Sequence, residues 1–371
     1  MTAVIALFWL AAVQEASPDV PALLHAGDAS YLQADYEAAR QSFQKAWDLV
    51  QQTAPDNPAR YDILKRLTSA RAAAGEFSDA DQFLGQAIRW RETVLGGDDP
   101  KIPDDLLLEV SLCRSMKDYE RANTVLARVM GLHARASGYD SKPVADDYSR
   151  MAQIDMDQKR LEEAVSALNL ALSIRTKLAG PLDPTLVPDL DRLGQIYITQ
   201  RAYENAEWAY QRALVIRESI YGKVNADLIA TVDGLAYALF GQKKYEQAEP
   251  LYQRLLTLWV GSVGEDHPMV AMALDKVAVF YAEQKKYDQA NAASERAHAI
   301  RAHILATSYI QDATRRYDES DMATCHELLG RALKTLDPPN PMDEKLHDQV
   351  VSMLKAVPVV MPEKAGKKKQ P

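Results

Sequence analysis

The strongest constraint on this fold is a spacing. An aromatic residue or leucine recurs at Tyr36, Phe77, Tyr119, Leu161, Tyr203, Tyr245 and Tyr287; the first interval is 41 residues and the next five are 42. An alanine follows three residues after each one: Ala39, Ala80, Ala122, Ala164, Ala206, Ala248 and Ala290. A fixed period of this size means that one supersecondary unit is stacked repeatedly, each unit burying its apolar face against its neighbours. Such arrays work by presenting an extended surface, and a conventional closed active site is not expected.

Counting from each anchor as position zero, apolar residues recur at +3, +7, +10 and +13, which is a helix period. Position +10 reads Ala46, Ala87, Val129, Ala171, Ala213, Leu255 and Ala297; position +13 reads Leu49, Trp90, Leu132, Ile174, Ile216, Leu258 and Ile300. This is the second helix, B, of each repeat. A preceding helix, A, carries Leu67, Met151, Leu193, Leu235 and Val277 ten residues before the anchor. One residue later stand Gly27, Thr68, Ala152, Gly194, Ala236 and Ala278, small enough for two helices to approach closely. Short polar turns such as Gln242-Lys243-Lys244 and Gln284-Lys285-Lys286 make A and B antiparallel. Asp56-Asn57-Pro58, Asp99-Pro100, Leu182-Asp183-Pro184 and Asp266-His267-Pro268 read as helix starts, with a capping side chain and proline at the first helical position. Gly96, Gly97, Gly180, Gly222 and Gly264 read as helix ends.

This pattern resembles the tetratricopeptide repeat, in the long, 42-residue form found in kinesin light chains and bacterial relatives. Leu193-Gly194, Tyr197, Tyr203, Ala206, Tyr210 and Ala213 follow the order of that motif. Gly264-Glu265-Asp266-His267-Pro268, followed by Lys286-Tyr287-Asp288-Gln289-Ala290, is similar to the light-chain version. The resemblance covers residues 22–302 and implies an all-α, right-handed superhelical solenoid of about seven helix-turn-helix repeats. Beyond Ile300 the pattern weakens: the next anchor falls due at Leu329 without an alanine three residues on, and Tyr317-Asp318-Glu319 comes early. Helices are expected over 302–316, as an extended or extra helix, and over 321–336 and 343–354. They would form a C-terminal cap at 303–356, interrupted by Pro338, Pro339 and Pro341.

Composition narrows the partners. The net charge is −9, whereas nucleic-acid affinity rests on cationic contacts to phosphate, so no nucleic-acid partner is expected. The only basic cluster is Lys364, Lys367, Lys368 and Lys369, within a segment, 357–371, that reads as a flexible tail. Cys113 and Cys325 are far apart in sequence, in different structural units, and suggest no disulfide, and Cys113 falls on an inward helix position. The uncharged run Thr2–Val13 is too short to span a bilayer and suits a secretory signal cleaved near Ala16. That reading makes residues 1–16 a signal peptide and the protein periplasmic or extracellular; the alternative is a cytoplasmic protein whose apolar first helix caps the array. No transmembrane span is expected.

Catalytic chemistry is not visible. No histidine pairs with a carboxylate in a metalloprotease spacing, no cysteine pair suggests zinc, and neither a phosphate loop nor a nucleophile elbow occurs. Neither a cofactor, a metal nor a catalytic residue is expected. His267, before Pro268 in a repeated turn, reads as structural. The suggestive constellation lies on helix A, 12 residues before each anchor: Lys65, Leu107, Ser149, Asp191, Asp233 and Asp275, each followed in turn by Arg66, Leu108, Arg150, Arg192, Gly234 and Lys276. In the resembling family these positions face a concave groove and are often asparagines that would contact a peptide backbone. Gln153, Gln195 and Tyr237, eight residues before their anchors, would line the same channel. The expected groove is therefore Arg150, Gln153, Asp191, Arg192, Gln195, Asp233, Tyr237, Asp275 and Lys276. A row of carboxylates there reads either as a solvated face or as a ladder for a cationic or N–H-bearing segment. The function expected is a protein- or peptide-binding scaffold; the alternative is a structural or self-assembling part of a cell-envelope complex.

Overall fold

A computed structural model describes residues 20–53, 59–337 and 343–357. The apolar N-terminal run, Asp56-Asn57-Pro58, Pro338-Pro339, Pro341 and the lysine-rich tail lie outside these residues. The described chain is helical and contains no strand. It divides into two compact units, one ending at Asp183 and the other beginning at Pro184.

The first unit holds α1 (Val20–Leu32), α2 (Tyr36–Thr53), α3 (Ala59–Ala73), α4 (Phe77–Leu95), α5 (Ile102–Ser115), α6 (Tyr119–Ser137), α7 (Lys142–Asp157) and α8 (Leu161–Ala179). The second holds α9 (Val187–Thr199), α10 (Tyr203–Tyr221), α11 (Ile229–Gly241), α12 (Tyr245–Val263), α13 (Pro268–Glu283), α14 (Tyr287–Asp318), α15 (Met322–Thr335) and α16 (Glu344–Ala356). Odd-numbered helices through α13 are A helices and their even-numbered successors are B helices. Every anchor is the first residue of a B helix. In each unit a helix packs on the one before it and the one after it.

The sequence builds the hairpins through one repeated turn. The residue two before each anchor has left-handed backbone geometry: Gly75 at φ 81° and Ala34, Lys117, Lys159, Arg201, Lys243 and Lys285 at φ 58–61°. The next N–H then reaches back to the A helix, as from Asp118 to the Cys113 carbonyl and from Ala202 to the Tyr197 carbonyl, both at 2.8 Å. This closes carbonyls that a helix end would leave unpaired. The anchor-plus-three alanines sit behind the turn, fully buried at Ala39 through Ala248 and nearly so at Ala290. The small A-helix residues serve close packing. An added Cβ on Gly27 would lie 2.3 Å from Cε1 of Phe43, and one on Gly194 would lie 2.5 Å from Cζ of Tyr210.

Helix starts differ in detail from the sequence reading. At the Asp266-His267-Pro268 turn the cap is His267, whose Nδ1 accepts from the Met269 N–H at 3.2 Å. Asp99 accepts from the Lys101 N–H at 3.0 Å, one turn ahead of α5. After Asp183, Pro184–Leu186 form a 3-10 turn before α9 begins. Gly96, Gly180, Gly222 and Gly264 close B helices with φ between 74° and 92°.

The C-terminal helices contain an eighth hairpin. Helix α14 continues unbroken to Asp318, then Ser320 takes φ 63° and the Asp321 N–H donates to the Arg316 carbonyl at 2.9 Å, the same turn as in the seven repeats. Met322 therefore occupies the anchor position, Cys325 the alanine position, and Leu329 and Ala332 the buried +7 and +10 positions. The half of α14 beyond Ile300 serves as helix A, so the connecting loop is missing and the repeat shortens to 35 residues, from Tyr287 to Met322. Leu329, where the 42-residue period places the anchor, is instead a core residue. His303 at 2.6 Å from the buried Asp343 ties α16's start to α14.

Candidate functional site

Within each unit, successive A helices are joined by ionic and polar rungs. In the first unit Arg66 on α3 holds Asp28 on α1 at 2.9 Å, Lys65 on α3 holds Asp105 on α5 at 2.8 Å, and Arg114 on α5 holds Asp157 on α7 at 2.7 Å. In the second unit the Thr231 hydroxyl on α11 donates to Asp191 on α9 at 3.4 Å, and Lys276 on α13 holds Asp233 on α11 at 2.5 Å.

The expected groove residues divide between the units. In the first, Arg150 reaches Asp147 at 3.3 Å, and Gln153 donates to Asp157 at 3.2 Å. In the second, Arg192 holds Asp189 at 3.0 Å, Gln195 and Tyr237 are exposed, and the Tyr237 ring leans on Tyr203 and Phe240. Asp191, Asp233 and Asp275 do line one register on α9, α11 and α13, but none is a free carboxylate. Arg217 holds Asp191 at 2.7 Å, Lys276 holds Asp233, and Arg301 holds Asp275. The row is thus neutralised from within.

Two of these cations, Arg217 and Arg301, belong to a column that the sequence reading passed over. Position +14 of helix B reads Arg91, His133, Arg175, Arg217 and Arg301 in repeats two to five and seven. Opposite it within each unit, 14 residues before the next anchor, stand Asp105 and Asp147 in the first and Thr231 in the second, all essentially buried. Arg91 lies 3.2 Å from Asp105 and 2.8 Å from Asp99, with its guanidinium over the Tyr61 ring; the Tyr61 hydroxyl donates to Asp105 at 2.7 Å. His133 Nδ1 lies 2.7 Å from Asp147. Arg175 donates to Asp146 at 2.6 Å and to Ser149 at 2.9 Å, and Arg217 reaches Thr231 as well as Asp191. A buried carboxylate is tolerated only with such partners. Burial nonetheless raises the Asp147 carboxyl above its ordinary value, against the pull of His133. The same registry count that found the alanines would have found this column.

Tyr210 links core and face. Its ring end is wedged between Gly194 on α9 and Gly234 on α11, each of whose added Cβ would come within 3.0 Å. Burial, helped by the carboxylates of Asp191 and Asp233, pushes its phenol up to about 12. Glycine at these two positions is what allows a tyrosine to fill the space between successive A helices.

The column breaks at repeat six, where +14 is Trp259 and the facing position is Ala273. There a cleft of about 520 Å³ opens among Ile229, Asp233, Trp259, Met269, Met272 and Lys276. Among the described residues no group of three His, Cys, Asp or Glu side chains is placed to hold a metal ion, and no helix is long and apolar enough to cross a membrane.

Stacked antiparallel helix pairs with a decorated A-helix face define a helical-repeat protein. The tetratricopeptide repeat model matches residues 143–219 and 228–303, which are similar to that repeat. The fold of the chain is similar to that of BtubC (BKLC) from P. vanneervenii, with 21% identity, TM-score 0.51, and coverage of 62% of this chain and 92% of that one. It is also similar to the C-terminal part of a TPR repeat-containing protein from Cytophaga hutchinsonii, with 14% identity, TM-score 0.54, and coverage of 74% and 93%. No curated protein matches the sequence.

Proposed function

We propose that this protein is a protein- or peptide-binding scaffold and that it binds through its A-helix faces. The observation that carries the reading is the second unit's A face. Tyr237, Met272 and Val279 are 44%, 51% and 56% exposed there, beside carboxylates already fixed by ion pairs. Exposed apolar side chains set among fixed polar groups are what a recognition surface requires. Because the carboxylates are paired internally, the face is preorganised and nearly neutral, and contact area carries more of the affinity than net charge does. The test is selection of peptides from a displayed random library, followed by affinity measurement on variants. Tyr237→Ala and Met272→Ala should each weaken selected peptides by about tenfold, the scale of a contact worth 1.4 kcal/mol. Trp208→Ala, on the exposed side of α10, should leave them unchanged. Selection of no peptides, or sensitivity confined to Trp208, overturns the reading.

A second reading, a self-assembling structural component, draws on exposed Leu170, Trp208 and Val215 on B helices. A light-scattering mass above the monomer that falls on Trp208→Ala would favour it. Export is a further proposal, supported by the apolar run Thr2–Val13. An N-terminal sequence beginning near Ser17 in an extracytoplasmic fraction would support it, and one beginning at Met1 or Thr2 in a cytoplasmic fraction would overturn it.

A further inference from the structure

The repeats show which side chain their own architecture places beside the −12 carboxylate. In repeat five Arg217 lies on Asp191 and reaches Thr231; in repeat seven Arg301 lies on Asp275. Repeat six keeps the carboxylate, Asp233, but puts Trp259 where the arginine belongs and Ala273 where the facing polar residue belongs. The vacated space is the cleft described above, and a smaller one of about 290 Å³ adjoins it through Ala226 and Ser262 beside exposed Val224.

We propose that this cleft receives the side chain of an arginine from a bound polypeptide. The proposal rests on the scaffold reading above and names the residue recognised at one point of that face. Charge favours a cation: Asp227 and Asp233 both line the cleft, against the single ammonium of Lys276. Lys276 engages Oδ2 of Asp233, which leaves Oδ1 as an acceptor, and a carboxylate can accept from a guanidinium and an ammonium together. The Lys276–Asp233 pair is partly exposed, so an incoming cation displaces it at little cost. The indole of Trp259 supplies a flat wall for a planar cation. Ile229, Met269 and Met272 cover its methylene stem, with methionine adapting to the fit. Arginine is preferred to lysine because its fork can bond Asp233 while its plane stacks on the indole. The ligand arginine would thus take the place that Arg217 and Arg301 occupy in neighbouring repeats.

The test uses the full chain labelled with 5-fluorotryptophan, the Trp259 resonance being assigned by its loss in Trp259→Phe. The probes are acetyl-Gly-Arg-Gly-amide and the same tripeptide with citrulline, which keeps the shape and removes the charge. The arginine probe should shift the Trp259 resonance saturably, with affinity about tenfold above that of the citrulline probe, as loss of a charge-assisted bond requires. Asp233→Asn should weaken it, Asp191→Asn should not, and Lys276→Ala should strengthen it by removing the competing ammonium. Equal response to both probes, no response of the Trp259 resonance at millimolar concentration, or weaker binding by Lys276→Ala overturns the proposal. If library-selected peptides still depend on Tyr237 while Trp259 responds to neither probe, this site fails and the scaffold reading stands.

Discussion

Gly194→Ala isolates the packing that brings successive A helices around Tyr210. In an open helix this change removes backbone freedom from the unfolded chain and stabilises by about 1 kcal/mol. At position 194 the new methyl would lie 2.5 Å from Cζ, 2.6 Å from Cε2 and 2.8 Å from Cε1 of a ring that is 8% exposed. The ring cannot withdraw freely, because Gly234 presses the same ring atoms from α11. Overpacking of this kind costs about 1–3 kcal/mol, so the net effect is a loss of about 1 kcal/mol. Gly131 on α6 is the internal control: its added Cβ meets only the Arg135 guanidinium, at 3.8 Å. Gly131→Ala should therefore gain about 1 kcal/mol, and the two variants should move in opposite directions. The assay is urea denaturation followed by far-UV circular dichroism, with a double-mutant cycle in which Tyr210→Leu removes the ring end. If the ring is the obstacle, Gly194→Ala becomes harmless in the Tyr210→Leu background, and a coupling of about 1–3 kcal/mol appears. The argument is refuted if Gly194→Ala raises the midpoint as Gly131→Ala does, or if the two substitutions are additive.

Asp105→Ala should destabilise by about 1.5–3 kcal/mol, because it removes the buried acceptor shared by Lys65, Arg91 and the Tyr61 hydroxyl while Asp99 still holds Arg91; Asp104→Ala, one residue earlier and exposed, should change the urea midpoint little. Burial raises the Asp147 carboxyl above its ordinary 3.8, so the folded state keeps a proton that the unfolded chain has released, and stability is lost as pH rises from about 4 through the folded value. Asp147→Asn removes that loss: urea midpoints followed upward from about pH 4 should show the unsubstituted protein falling relative to the variant, and a relative rise refutes the assignment. The Cys113 thiol is fully buried and pushed up to about 11 by that burial, so a thiol reagent at pH 8 should modify it only as fast as the chain opens, and more rapidly in urea; immediate modification of the folded protein would contradict the packing.

The sequence by itself determined the period, the A–B hairpin and the position of each B helix, because these rest on local rules. An aromatic anchor opens the helix, a small residue three positions on meets helix A, and a left-handed residue two positions earlier closes the turn. It also brought out Asp191, Asp233 and Asp275 as one register. It did not determine their charge state as a group. Arg217 and Asp191 are 26 residues apart, and Lys276 and Asp233 are 43. A carboxylate's partner over such distances depends on which helix faces which. Asp146 and Asp147 show the same limit: adjacent in sequence, one is held by Arg175 near the surface, while the other is fully buried against His133. The eighth hairpin was hidden for a related reason. Its helix A is fused to α14, so the period contracts and the anchor becomes Met322, a residue with no aromatic signature. Local propensity writes the repeat unit. Only packed neighbours decide which of its polar residues are buried, which are paired, and where, at Trp259, a space is left open.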